Sequence, residues 1–450
     1  MIIVYIIVFG GLLVAVLASL SGYFLLQYRA SLQKAAWASA LEIAEAGVNY
    51  YRWHLAHAPE DFQDGTGGPG PYVHDYYDPE GDVQGQFSLE ITPPQPGSTI
   101  VTIRSTGWNN RFPNTKRTIL VRYGIPSLSQ YSFLSDASSW YGTNITVNGR
   151  IHSNNGIRMD GTNLSAVRSQ KETYLCGSET GCSPPQTKPG VWGAGGPSNL
   201  WEFPVPKIDF DSITADLAAM KEAAIANSTY FGPSGSFGYH LIFQSDGTLD
   251  IYKVTRTRTR RGYNSGEGCR YLNQRIRTEQ YQTTLSVGNN DIFFFEDNIW
   301  VEGTINGRAT VAAARFPTEI YDTNIWIRNN LLYDTKDGST VLGLIAQDDI
   351  YFVLDIPNVF EINAAMLAQE GQIIRHYYGW GCGNYSNAVR DKLIIYGAVM
   401  SRLKSYWNWG SGPSSGFRVR EVNYDSNLFF SPPPYFPTTG EYQFISWQEE

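Results

Sequence analysis

Acid–base chemistry on this chain would have to come from Asp291, Asp348, Asp349, Asp355 and Glu361, carboxylates scattered among short apolar segments of its second half. Two carboxylates facing across a sugar cleft can cleave a glycosidic bond, one as acid and the other as base or nucleophile. Asp348 and Asp349 are adjacent, so on a strand they point to opposite faces and cannot enter one site; corner and turn roles are expected of them. His152 precedes Ser153, Asn154 and Asn155 without a matching Asp and Ser constellation and reads as a solvated or hydrogen-bonded turn histidine. The segment Asp334-Thr335-Lys336-Asp337-Gly338 falls short of the ligand count of a calcium loop and reads as a hairpin turn. No catalytic set, cofactor motif or metal site is expected.

Recognition chemistry has stronger candidates. Lys253, Arg256, Arg258, Arg260, Arg261, Arg270, Arg275 and Arg277 share the segment 253–277 with a single acid, Glu267. Alternation puts Arg256, Arg258 and Arg260 on one strand face with threonines on the other. Such a stripe suits an anionic ligand (DNA or glycan), anionic lipid or an acidic neighbouring subunit, although the plainer reading is an edge strand guarded by charge against aggregation. Trp380, Trp407 and Trp409, with Tyr377, Tyr378 and Tyr406, are candidates for stacking on a glycan; the plainer reading is that they pin long loops to a core. The net charge of −8 over 450 residues carries no global polyanion-binding signature.

Cys176 and Cys182 bracket a short polar loop, the spacing of a disulfide-closed turn made in an oxidising compartment. Cys269 and Cys382 either bridge distant parts of the body or stay reduced and buried. None of these spacings matches a zinc ribbon or a redox motif.

The scaffold for these groups begins with a helix. Residues 2–28 carry no charged side chain and are long enough to cross a hydrocarbon core of about 30 Å. No basic residue precedes the apolar run, which favours an uncleaved anchor over a cleaved signal. Residues 29–55 contain no proline and are dense in Ala, Leu, Glu, Gln and Lys, so the helix is expected to continue as one rod to about Ala56, roughly 80 Å long. Ala36, Ala40, Ile43, Gly47 and Tyr50 recur at three- and four-residue steps and form one apolar stripe, while Glu42 and Glu45 lie off it on a solvated face.

The stretch Ala38–Tyr51, ASALEIAEAGVNYY, directly after an apolar helix, resembles the minor pilins and pilus-assembly proteins of the type IV pilus, PilX-like proteins in particular. The segment IRSTGWNNRFPNTKRTILVRY resembles the strand-turn-strand of their heads, and the segments 208–252, LGLIAQDDIYFV, INAAMLAQEG, LIIYGAVMS and SPPPYFP with Trp447 resemble the C-terminal region of such envelope proteins. Position 5 departs from major pilins, which carry glutamate where this chain has Tyr5. The resemblance implies a helix seated in the bacterial inner membrane before assembly and packed with other pilins in the filament afterwards, with the globular part outside the cytoplasm.

Residues 59–85 are rich in Gly, Pro and Asp and read as a hinge or irregular linker. Alternation at Gln86–Ile91, Thr99–Arg104 and Arg117–Arg122 predicts a small antiparallel sheet packed on the helix. Beyond Pro126, apolar triplets punctuated by Asn, Asp and Gly predict stacked rungs of a right-handed parallel β-helix, with a β-sandwich as competitor. One helix near 212–226, capped by Asp211 or Ser212 and presenting Ile213, Leu217, Met220 and Ala224, should lie across it. The fold class is thus α+β: a stalk helix (1–57), a linker and small β domain (58–125) and a solenoid-like body (126–450). The function expected is that of a non-enzymatic, single-pass structural protein of a type IV pilus-like system; the alternative is an anchored β-helix that binds or cleaves an extracellular polysaccharide.

Overall fold

The computed structural model describes residues 2–95, 97–210, 216–410 and 413–450. The chain is α+β, with a long apolar N-terminal helix, a small antiparallel sheet and a large, mainly β body. It divides into two compact units: Met1–Gln95 with Thr99–Ile125 and Glu441–Glu450, and Pro96–Ser98 with Pro126–Gly440.

In the first unit, helix α1 (Ile2–His57) runs unbroken for 56 residues because nothing in it interrupts the backbone ladder. Its first half is exposed throughout, and burial begins at Ala36 and recurs at Ala40, Ile43, Ala44, Gly47, Val48, Tyr51 and Leu55. Tyr51 occupies the buried position expected of Tyr50, which is half-buried. This stripe packs on Phe87, Leu89, Val101, Ile103, Ile119 and Val121 of an antiparallel sheet. The sheet comprises β1 (Tyr72–Tyr77), β2 (Val83–Thr92), β3 (Ile100–Asn109), β4 (Lys116–Gly124) and the C-terminal strand Gln443–Glu449, in that order. Two expectations are corrected. The supposed linker contains β1, and Glu441–Glu450 belongs to the first unit rather than to the body, because Gln443–Glu449 pairs antiparallel with β4. A pairing across more than three hundred residues leaves no local trace in sequence.

The second unit is a stack of parallel ladders. Tyr230–Phe231, Asp291–Phe295, Arg308–Ala313, Val341–Ala346, Val359–Ala368 and Val389–Ser401 follow one another in parallel register. The last of these then pairs with Phe133–Ser135, which continues through Ile151–Ser153 and Val167–Ser169 to Trp201–Glu202. The chain therefore enters in the middle of the stack, builds outward to Trp201, restarts at the far end and returns until its last rung lies against its first. Tyr239–Gln244, Ile299–Ile305, Ile325–Tyr333, Ile350–Phe352 and Ile373–Ile374 form a second parallel ladder.

Strands such as Arg308–Ala313 and Val341–Ala346 are buried on both faces, hence their continuous apolar runs. Their inner residues join one large core with Ile299, Ile325, Phe352 and Phe360, while Ala312, Ile345, Ala365 and Met400 face outward onto a second cluster. Helix α2 (Leu217–Ala226) supplies Leu217, Met220 and Ala224 to that cluster. Its N-cap is Asp216, which accepts from the Ala219 amide at 2.9 Å; the caps Asp211 and Ser212, and Ile213, lie outside the described residues. Asp334–Gly338 is a corner between two parallel ladders rather than a hairpin turn, since the strands it joins do not pair antiparallel.

Candidate functional site

The longest strands of the body start beside the second ladder, where Thr248–Lys253 pairs antiparallel with Tyr239–Gln244, and then extend beyond the stack. Thr248–Asn264 and Gly268–Ser286, 17 and 19 residues, form an antiparallel hairpin that carries the arginine segment. Rung strands are shorter, so the distal part of this hairpin has no parallel neighbours and must be held at its base and tip.

At the base, buried His240 makes hydrogen bonds from Nδ1 to Glu279 at 2.8 Å and from Nε2 to Glu302 at 2.9 Å, joining the outer hairpin strand to the second ladder. Arg328 stands 3.6 Å from Glu302, and the Tyr252 ring lies 6.0 Å from the imidazole. Burial alone would lower the imidazole pKa, but the two carboxylates outweigh it and hold it above its ordinary 6.5. Hydrogen bonding from His240 holds Glu279 below 4.5; for Glu302, His240 and Arg328 overcome burial in the same direction. The imidazolium's contribution is complete below 6.5 and is lost as pH rises through its raised folded value, whereas the carboxylates' contribution is complete above 4.5 and is lost as pH falls through their lowered values. Melting temperature is therefore expected to be highest between those limits and to decline on the alkaline side. His240→Gln should flatten that alkaline limb, and an unchanged profile would remove His240 from the account.

The tip is tied by a disulfide between Cys269 and Cys382 and by a bridge of Tyr263 to Tyr377. Cys176 and Cys182, six positions apart, are also joined, closing their short polar loop. Along the hairpin, Arg258 lies directly opposite Arg275, an arrangement of like charges that costs free energy unless an anion intervenes. Arg256, Arg258, Arg275 and Arg277 are exposed, and a hollow of about 540 Å³ is lined by Arg258, Arg275, Ile276 and Arg277. Asp355 approaches Arg260 at 3.9 Å and Arg275 at 3.8 Å. Arg260 is half-buried, so it does not stand with exposed Arg256 and Arg258. Arg270 pairs with Glu267, and Arg261 lies 5.7 Å above the Tyr271 ring. Among the described residues Gly268–Ser286 has no second strand partner, so its cations also guard an open edge.

The aromatic candidates separate. Trp380 is 84% exposed, and Trp409 is half-buried with Nε1 donating to the Arg375 carbonyl at 3.0 Å. With Tyr263 and Tyr377 they line a concavity of about 440 Å³ beside the Cys269–Cys382 bridge. Trp407 is corrected: it is 5% exposed, donates to the Ile373 carbonyl at 3.0 Å and packs on Phe133 and Phe352, so it is a core ring rather than an exposed stacking platform.

Four of the five candidate carboxylates, Asp348 excepted, have hydrogen-bond partners in the fold. Asp349 ends a corner ladder in which Asn298 Oδ1 accepts from the Asn324 amide, Asn324 Oδ1 from the Asp349 amide, and Asp349 Oδ1 from the Gln372 amide at 2.7 Å. Its other oxygen accepts from the Tyr351 hydroxyl at 2.6 Å. Burial raises both neighbouring acids, Asp348 to about 7. Asp355 accepts from Asn387 at 2.8 Å, Glu361 from Lys336 at 3.0 Å and Asp291 from the Gly288 amide at 2.6 Å. His152 is buried within a strand, 3.1 Å from Asn154, rather than in a turn. Among the described residues no three His, Cys, Asp or Glu side chains gather in a way that could hold a metal. The His240 latch was missed by sequence reasoning, since its acids stand 39 and 62 residues away and no motif joins them.

No protein-family model matches the chain, and no curated protein does. Among solved structures, the competence-associated pilin ComZ from Thermus thermophilus aligns over 92% of this chain and 97% of its own, with 13% identity and a TM-score of 0.32. At that identity and score the likeness establishes no family.

Proposed function

We propose that the protein is a non-enzymatic structural component of a type IV pilus-like system, a minor pilin or PilX-like assembly protein. In this reading it is anchored in the bacterial inner membrane by one helix, and its body is displayed outside the cytoplasm on or beside the filament. The observation that carries the reading is the division of α1. Apolar residues from Ile2 to Tyr28 are exposed, whereas Ala36 to Leu55 is buried on an antiparallel sheet. An apolar surface of that length is unstable in water and stable in lipid or among like helices, so the exposed half is itself the binding surface. The arginine hairpin then faces the periplasm or the cell exterior, available to an anionic partner.

Shearing filaments from cells and probing filament and membrane fractions tests the reading. Recovery of the chain in filaments is expected, and its confinement to the membrane fraction would reduce the role to that of an anchored envelope protein. Within the same experiment, Leu13→Arg should shift the protein out of both fractions, since a guanidinium at the centre of a spanning helix costs about 3 kcal/mol. Unaltered fractionation of that variant would mean that the helix lies in neither lipid nor filament core. The concavity around Trp380 and Trp409 favours glycan binding as a second reading of the displayed body, with binding rather than cleavage as the activity.

A further inference from the structure

Among the described residues four arginines are buried: Arg117, Arg308, Arg375 and Arg420. Three are answered by acceptors. Arg117 pairs with Glu449, Arg308 donates to four backbone carbonyls, and Arg375 donates to those of Val353, Leu354, Asn387 and Ala388. Arg420 is different. It is 9% exposed, its Nε is buried without a hydrogen-bond partner, and no described residue forms an ion pair with its guanidinium. Burial pushes its pKa down to about 10, which leaves it cationic at neutral pH. A buried cation without acceptors is unfavourable unless a ligand supplies them.

The strand Gly416–Tyr424 places Arg420 opposite Ile145 in the parallel ladder. There it lines two hollows, of about 60 and 340 Å³, which share Trp140, Tyr406 and Asn408 as walls. Lys404 and Arg158 also line the larger hollow. The acid present, Asp160, is already engaged by Arg158 Nε at 2.8 Å, Trp140 Nε1 at 2.8 Å and the Ala194 amide at 3.0 Å. Lys404 donates to the Glu179 carbonyl, and burial lowers its pKa to about 8, so it too remains largely cationic. The hollow thus holds two cations without a carboxylate partner, beside a half-exposed indole, a tyrosine ring and the Asn144 amide, while the Asn408 amide is held by the Phe417 backbone.

We propose that this cleft binds a carboxylate-bearing sugar, its carboxylate paired with Arg420 and its ring against Trp140 and Tyr406. The planar guanidinium matches a carboxylate through two parallel hydrogen bonds, and aromatic and amide groups together suit the apolar face and hydroxyls of a pyranose. A volume of about 340 Å³ lies at the lower end of small-ligand sites and suits one or two rings. The assignment does not depend on the pilus reading, since it concerns only the body.

The test uses the full chain in detergent, titrated calorimetrically with trigalacturonate, with its methyl ester, with inorganic phosphate and with a short single-stranded oligonucleotide. Trigalacturonate should bind, and the uncharged ester should bind at least about tenfold more weakly, the range expected for losing a charge-assisted hydrogen-bonded pair. Arg420→Gln should lose about the same factor. Where its melting curve shows misfolding, Lys404→Gln and Trp140→Ala carry the test, each weakening trigalacturonate relative to the ester or to the unaltered protein. Absence of binding, equal affinity for the ester, tighter binding of phosphate or oligonucleotide, or indifference to the substitutions would each overturn the assignment.

Discussion

Arg308→Met should destabilise the body by at least about 3 kcal/mol, measured as a lowered urea midpoint for the transition followed by tryptophan fluorescence. Arg308 is 6% exposed and donates from Nη1 to Gly338 at 2.8 Å and from Nη2 to Gly97 at 2.8 Å, Ser431 at 3.0 Å and Pro432 at 2.7 Å. All four acceptors are backbone carbonyls of irregular segments that have no ladder to satisfy them. Methionine fills much of the volume but donates nothing. The loss is therefore one buried acceptor, that of Pro432, and three half-buried ones, of which the Gly97 carbonyl keeps the Ser431 hydroxyl, at about 1–3 kcal/mol for each acceptor left unpaired and less where water enters. Burial pushes the guanidinium pKa down, the sign of a charge that itself pays a desolvation cost. Arg308→Lys should fall between the two, because an ammonium can serve some of the carbonyls but lacks the planar fork. If Met and Lys variants melted with the unaltered protein, the carbonyls would have to be satisfied in some other way.

Gly107→Val should have an effect of similar size on the first unit. Helix and sheet meet there at backbone distance: a Cβ on Gly107 would lie 2.4 Å from the Ala40 carbonyl oxygen and 2.4 Å from the Ala44 amide nitrogen. Gly47 on the helix is equally crowded, its hypothetical Cβ 2.8 Å from the Phe87 ring. Flexible side chains can yield, but helix backbone cannot, so valine must push α1 away from β3. That exposes part of the cluster of Ile43, Val48, Phe87 and Ile103, at about 3 kcal/mol or more. Limited proteolysis reads this directly, since the segment Ala36–Leu55 should become a cleavage site while the body stays intact. Protection equal to that of the unaltered chain would show that the close approach is not required. Gly107→Ala should be milder in degree and identical in kind.

The contrast between these two sites shows where sequence is informative. The AEAG segment announces the helix stripe because periodicity is a local property, and Gly47 falls on that stripe at a predictable step. Gly107 and Arg308 announce nothing. One glycine in a strand and one arginine before Ala309 and Thr310 acquire their roles from backbone that arrives from elsewhere in the chain. The same division separates the tryptophans: Trp380 and Trp407 stand in similar Gly- and Asn-bearing segments, yet one is exposed and the other lies in the core.

By itself the sequence determined the elements whose cause is local. These are the uncharged apolar run of residues 2–28, its continuation as one helix, the alternation of the small sheet and the short punctuated strands of the body. Periods of 3.6 and 2 residues are imposed by backbone geometry and are written into every turn and strand. Tertiary structure alone decided the order of the rungs, in which Val389–Ser401 stacks on Phe133–Ser135, and the return of Gln443–Glu449 to the first sheet. It also decided the latch at His240, the tie of Cys269 to Cys382 and the unanswered charge of Arg420. The physical reason is common to all of them. Backbone hydrogen bonds in a parallel ladder are chemically alike at every rung, so which strands neighbour one another follows from how the whole core packs, and burial of a charge becomes visible only once that packing exists.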